Sequence, residues 1–213
     1  SGTVLIASDK YHDGKTLPIH SFNHANGKYY LMGCILTAAS AYSWWNNIIK
    51  EDVNKPLKII ESDVIFKPYL NGERCPYNDP NLTGSFLNLR SNTTKEEMSL
   101  AVLEGVGFAL KDCLKIANNM GIKVKETNLC GGGARSKVWP TIIASILDVK
   151  VNLINADEGP GMGAAILAMV ANKEYKTIEE AIAKIVKINK TIIPTKKLVK
   201  YYKNKYLLYS NSR

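Results

Sequence analysis

Cysteine is scarce: Cys34, Cys75, Cys113 and Cys130 are the only four in 213 residues, and no two stand at a metal-ligand or redox spacing. That scarcity argues against a disulfide-stapled secreted fold and leads us to expect a reduced, cytoplasmic chain. Long apolar runs are missing too. None approaches the roughly 20 residues needed to cross a bilayer, and the N-terminus has no basic start followed by an apolar stretch, so a soluble chain with no membrane partner is expected. Internal repeats and low-complexity linkers are absent. No Gly-Lys-Ser or Gly-Lys-Thr follows a glycine loop at P-loop spacing, and the six-residue dinucleotide glycine pattern does not occur.

Acidic residues are the scarcer charge, with 19 Asp and Glu against 28 Lys and Arg for a net charge of +9. The excess is local. From Lys173 to Arg213, eleven basic residues meet only Glu174, Glu179 and Glu180, so this segment carries +8 and the rest of the chain +1. Such a distribution describes a tail rather than a nucleic-acid-binding face. Residues 173–213 are read as a basic helical tail packed on the same domain, its tyrosines inward and its lysines solvated.

What is present is an ordinary globular composition, 46% hydrophobic and 22% charged. Thr3 to Ala7 reads as a strand, Ser8 to Asn26 as a polar loop or short hairpin, Tyr29 to Met32 as a strand and Ala38 to Ile49 as a helix. Pro68 to Leu89, rich in Gly, Pro, Asn and Asp, predicts an irregular, partly buried loop. Thr94 followed by Glu97 is a capping box, and the periodic run from Met98 to Ala117 predicts a long helix stopped at Gly121. Gly105 and Gly107 inside it point to close packing against a neighbour. Strand Asn128 to Cys130, turn Gly131 to Ala134 and a helix from about Ser136 to Leu147 then lead to a strand at Val149 to Ile154. A second glycine turn, Gly159 to Gly163, is expected to open a helix at Ala164 to Ala171. Thr177 and Glu180 form a further capping box, and a last helix follows Pro194. This alternation predicts an α/β domain.

The Gly131 to Ala134 turn is the strongest chemical signal. A glycine turn between strand and helix lets backbone approach a flat ring or a phosphate and aims free N–H groups of the helix N-terminus at it. A tight turn with no ligand would look the same.

Ordered motifs extend from one end of the chain to the other. Gly84-Ser85-Phe86-Leu87-Asn88-Leu89, a seven-residue spacer and Glu97 to Glu104 resemble the signature of the FGGY carbohydrate kinases, with Asn88 where glycine is usual. Pro68 to Tyr77 resembles the same family's Pro-Tyr-Leu-x-Gly-Glu-Arg loop, with Cys75 in place of threonine. Gly131 to Ser136 with Trp139 resembles its adenosine-binding turn, and Gly159-Pro160-x-x-Gly163-Ala164-Ala165 the helix start that follows. Ser21 to His24, Met32-Gly33 and Ala38-Ala39-Ser40 before Trp44 resemble the xylulokinase branch.

The resemblance implies an actin-like ATPase fold with a ribonuclease-H-like core, residues 1–213 forming the C-terminal, nucleotide-binding half of a two-domain sugar kinase. It implies ATP with Mg2+ as cofactors and a small sugar, with xylulose favoured, as substrate. It further implies adenosine contacts at Gly132, Gly133, Ala134 and Ser136, with Ala39 and Ser43 nearer the phosphates. The catalytic aspartate and most sugar contacts would lie in an upstream half, so no catalytic residue and no metal ligand is assigned within this chain. A stand-alone actin-like module that binds nucleotide or a partner without catalysis is the alternative, and a homodimer stays open. Among other candidates, His24 is read as bracing a loop, Glu73 and Arg74 as a buried ion pair, Asp79 as a turn former and Glu104 as structural.

Overall fold

Antiparallel pairing starts the chain. In a computed structural model that describes residues 1–13, 18–52, 54–156 and 159–212, β1 (Gly2–Ser8) runs against β3 (Tyr29–Ile35), from Gly2 opposite Ile35 to Ser8 opposite Tyr29. Residues 14–17 of the expected Ser8 to Asn26 loop lie outside the described residues. The remainder of that loop contains β2 (His20–Asn23), which pairs with the other edge of β3 through a turn closed by the His24 N–H donating to the Lys28 carbonyl at 2.8 Å. Leu31, Gly33 and Ile35 of β3 are buried in alternation, the period of a half-buried strand. Helix α1 (Ala39–Ile49) follows, and its Trp45 Nε1 donates to Ser99 Oγ at 2.8 Å.

The segment expected to be irregular is bracketed by two three-residue strands, β4 (Ile65–Lys67) and β5 (Ser85–Leu87), paired antiparallel. Strands this short show no periodicity to read. Between them the loop is tied by reciprocal backbone bonds of 2.9 Å between Glu73 and Asp79, and Asp79 Oδ1 accepts the Asn81 N–H at 2.8 Å.

Helix α2 (Lys95–Asn119) begins on the expected capping box. Thr94 Oγ1 accepts the Glu97 N–H at 3.2 Å while Glu97 accepts the Thr94 N–H at 2.8 Å. Every residue from Ser99 to Ala109 is buried, so α2 is packed on all sides. Its glycines have physical causes: a Cβ on Gly105 would stand 2.3 Å from the Phe66 carbonyl oxygen, and one on Gly107 2.6 Å from Ile146 Cδ1.

Strand β6 (Glu126–Leu129), helix α3 (Trp139–Leu147) and strand β7 (Lys150–Ile154) form a parallel βαβ unit. Helix α4 (Gly159–Ala171) starts at Gly159 rather than at Ala164. Pro160 causes the difference: proline suits the first helical turn, where its missing N–H leaves no bond unmade, so the glycines are helix rather than turn. At α5 (Ile178–Ile185), Thr177 accepts the Glu180 N–H, but Glu180 accepts the Lys176 N–H instead of closing the box on Thr177. A strand that the sequence did not suggest, β8 (Ile188–Ile192), lies antiparallel to β7. Among the described residues, no helix is long and apolar enough to cross a membrane.

Helix α6 (Lys196–Asn211) seats Tyr202, Tyr206 and Tyr209 around Phe108 of α2, with ring centroids 5.0 to 6.3 Å apart. Beside them Lys205 Nζ meets Glu104 Oε2 at 2.6 Å, both side chains buried. Burial pushes the Glu104 carboxyl up to about 7 against the opposing pull of Lys205. Lys205→Met removes that pull, so the folded-state carboxyl rises further above its unfolded value and stability falls as pH rises. The expected cost is about 3–5 kcal/mol near pH 8 and clearly less near pH 5, where Glu104 keeps its proton. Urea unfolding at both pH values measures this, and a cost that does not vary with pH would contradict it.

Candidate functional site

Gly131 follows β6 with φ 83° and ψ −174°, a region essentially closed to residues with a Cβ. Space is not the reason, since nothing lies within 4 Å of a Cβ built there. The chain then winds into a 3-10 turn, Gly132–Arg135, with the Ala134 N–H donating to the Gly131 carbonyl at 3.0 Å and the Ser136 N–H to Gly133 at 3.3 Å. Ser136 Oγ accepts the N–H groups of Trp139 at 3.2 Å and Val138 at 3.4 Å, serving the start of α3.

The two faces of this turn differ. Inward, a Cβ on Gly133 would meet the Trp139 ring at 3.3 Å, and Trp139 is buried with Nε1 donating to the Leu103 carbonyl at 2.9 Å. Outward, Gly132 is exposed bare backbone with nothing within 4 Å of a Cβ. The turn is therefore held rigid from behind and open in front, which a planar or anionic ligand can approach.

Two more helix starts lie close. Trp139 faces Tyr42 of α1 at 6.3 Å between centroids, so the ring that backs the glycine turn also reaches α1. Ala39 is the first residue of α1, and exposed Ser43 donates from Oγ to the Ala39 carbonyl at 3.4 Å. The cap residue Ala38 has no side-chain bond, so the first N–H groups of α1 lack a side-chain acceptor at the cap. Gly2 packs against it, a Cβ there falling 2.9 Å from Ala38 Cβ. The start of α4 abuts the residue before the turn, where a Cβ on Gly159 would stand 2.9 Å from Cys130 Sγ. Among the described residues, no acidic residue occupies the first turn of α1 or α3, which suits an anion at these positive helix ends.

Glu73 ties its loop to the residues just before α1. It is buried, and its Oε1 accepts the N–H groups of Leu36 at 2.9 Å and Arg74 at 2.8 Å, while Oε2 and the nearby Thr37 Oγ1 are buried without partners. Burial raises its carboxyl above the usual glutamate range despite these two bonds. The expected Glu73–Arg74 ion pair is not formed: the Arg74 guanidinium lies 3.4 Å from His20 Nε2, and Glu73 braces the loop through backbone amides. The sequence reading missed this link between the loop and the residues before α1. An acid inside a Gly/Pro-rich segment expected to be buried was the available signal.

The histidines stay apart from the turn. His24 Nδ1 pairs with Asn26 Oδ1 at 2.8 Å and His12 Nε2 with Ser8 Oγ at 3.0 Å. Among the described residues, no three of His, Cys, Asp and Glu are grouped so as to hold a metal ion.

With this geometry in view, the relatives can be compared. Residues 1–172 match the model of the C-terminal domain of the FGGY family of carbohydrate kinases. The chain belongs to that family. It is 34% identical to a xylulose kinase of Staphylococcus epidermidis over 98% of this chain and 44% of the relative. It is likewise 34% identical to a xylulose kinase of Escherichia coli over 87% of this chain and 40% of the relative. Among solved structures it resembles a xyloylose kinase from Brucella ovis at 32% identity with a TM-score of 0.88, over 98% of this chain and 44% of that one. A gluconate kinase from Lactobacillus acidophilus superposes nearly as well, with a TM-score of 0.87 at 23% identity. The domain thus has the actin-like ATPase fold of the sugar kinases and corresponds to their C-terminal half. It spans less than half the length of the relatives it matches.

The two faces of the turn respond differently to a methyl group. Gly131→Ala is expected to cost about 1–3 kcal/mol through its φ, whereas Gly132→Ala stays within about 0.5 kcal/mol. Thermal melts of the two variants compare them, and equal losses would contradict the geometry.

Proposed function

We propose that this chain is the nucleotide-binding half of an ATP-dependent sugar kinase. Gly132, Gly133, Ala134 and Ser136 hold the adenosine, and the α1 start at Ala39 and Ser43 lies toward the phosphates. The observation that carries this reading is the bare outer backbone of Gly132 on a turn clamped from behind by Trp139. Ring and phosphate recognition by backbone and helix ends suits a ligand that must be bound closely and released after each turnover.

Transfer of the γ-phosphoryl group to a sugar hydroxyl depends on positioning and charge neutralisation. An upstream half supplies the catalytic aspartate and most sugar contacts in this reading, so the chain alone turns over poorly. Magnesium would arrive with ATP and would supply charge neutralisation at the phosphates. Xylulose is the favoured sugar, supported by the names of the relatives at 34% identity and by the Ala38-Ala39-Ser40 segment. The fold by itself does not choose the sugar, as the gluconate kinase superposition illustrates. The site of action is the cytoplasm.

Isothermal titration of ADP tests the nucleotide reading. The wild-type chain is expected to bind, and Gly132→Val to weaken binding at least about tenfold, or ~1.4 kcal/mol, with an unchanged melting temperature. Failure of the wild type to bind, or equal binding by the variant, would overturn it. Joining the chain to its upstream half and assaying a sugar panel tests the substrate: efficient phosphorylation of ribulose, gluconate or glycerol but not xylulose would refute that assignment.

A further inference from the structure

We propose that Cys75 and Cys113 form a redox modification site that closes to a disulfide on reaction with a hydroperoxide-class oxidant. Their Sγ atoms lie 3.2 Å apart, and both residues are buried, at 3% and 0% exposure. Neither cysteine belongs to the proposed nucleotide site, so the pair is separate from that machinery.

Helix α2 and strand β3 hold the two sulfurs together. Cys113 lies well inside α2, and the Cys75 N–H donates to the Cys34 carbonyl at 3.1 Å, so neither backbone is free to drift. Gly33 of β3 completes the slot: a Cβ there would fall 2.7 Å from Cys113 Cβ and 3.4 Å from Cys75 Sγ. A side chain at position 33 would drive the sulfurs out of this slot. A disulfide needs ~2.0 Å between sulfurs, so the two thiols have to close in from their present 3.2 Å.

The chemistry balances with hydrogen peroxide alone. One thiolate attacks a peroxide oxygen, the O–O bond breaks, and the sulfur becomes a sulfenic acid as the departing hydroxide takes a proton to leave as water. The second sulfur attacks the sulfenic sulfur, forming S–S and expelling hydroxide, which leaves as water with the second thiol's proton. Each sulfur loses one electron, and the peroxide is reduced to two waters. The hydrogen bond to Cys75 and burial hold the Cys113 thiol well above its usual range, so the closed protein reacts slowly and oxidation proceeds through openings of the loop around Cys75. The bond joins residues 38 apart and fastens to α2 the loop that Glu73 ties to the residues just before α1.

The test treats the fully reduced chain with hydrogen peroxide, in buffer and in urea below the unfolding midpoint. Alkylation under denaturing conditions and peptide mass mapping follow. The expected product is a peptide linking Cys75 to Cys113, formed faster in urea, cleaved by a phosphine reductant and absent from Cys75→Thr. Separate alkylation or higher oxidation of Cys75 and Cys113 in both conditions, while exposed Cys130 is oxidised, would overturn the proposal. So would linkage through any other pair.

Discussion

The backbone of α2 lies so close to β4 that no Cβ fits between Gly105 and the Phe66 carbonyl, and most of the structure depends on that approach. Once α2 is seated there, successive residues of one helix fasten different elements. Ser99 accepts from Trp45 of α1, the Leu103 carbonyl from Trp139 of α3, and Glu104 from Lys205 of α6. Lys111 donates to the Ile146 carbonyl, Asp112 accepts from Tyr77 at 3.0 Å and from Tyr206, and Cys113 meets Cys75. A buried helix with so many polar attachments specifies one arrangement because each buried polar group left unpaired costs free energy.

The functional reading hangs from this scaffold by a single ring. Trp139 is fixed by α2 through the Leu103 carbonyl, supports Gly133 from behind and faces Tyr42 of α1. Rigid backing is what allows an open glycine turn to hold a shape in front. A ligand then meets a preformed surface, and less of its binding energy is spent on ordering the protein. On the other side, Glu73 ties the loop before β5 to the residues ahead of α1, so both walls of the proposed site are fixed by buried groups outside it.

How much of this was legible in the sequence depended on how local each cause was. The capping box at Thr94 and Glu97 and the stop at Gly121 involve neighbours in the chain, and both ends of α2 were readable. Gly105 and Gly107 announced a close approach but not to what, because Phe66 and Ile146 are distant in sequence. Strands β4, β5 and β8 were missed: the first two are too short for a period, and β8 is exposed along most of its length, with its place set by pairing to β7. The glycine run before Ala164 was taken for a turn because glycine weakens helices, yet Pro160 and the contact of Gly159 with Cys130 suit a helix start. Glu73 and Arg74 were expected to pair because they are adjacent opposite charges, whereas buried backbone amides claimed the carboxylate first.

The central claim is that the glycine turn and the start of α1 together face a nucleotide. Hydrogen exchange measured by mass spectrometry, with and without saturating ADP, tests it most directly because it reports where the ligand sits. The account expects slowed exchange in two segments, Gly131 to Trp139 and Ala38 to Ser43, with little change in β2 and β8. Protection confined to other segments, or none at saturating ADP, would contradict it.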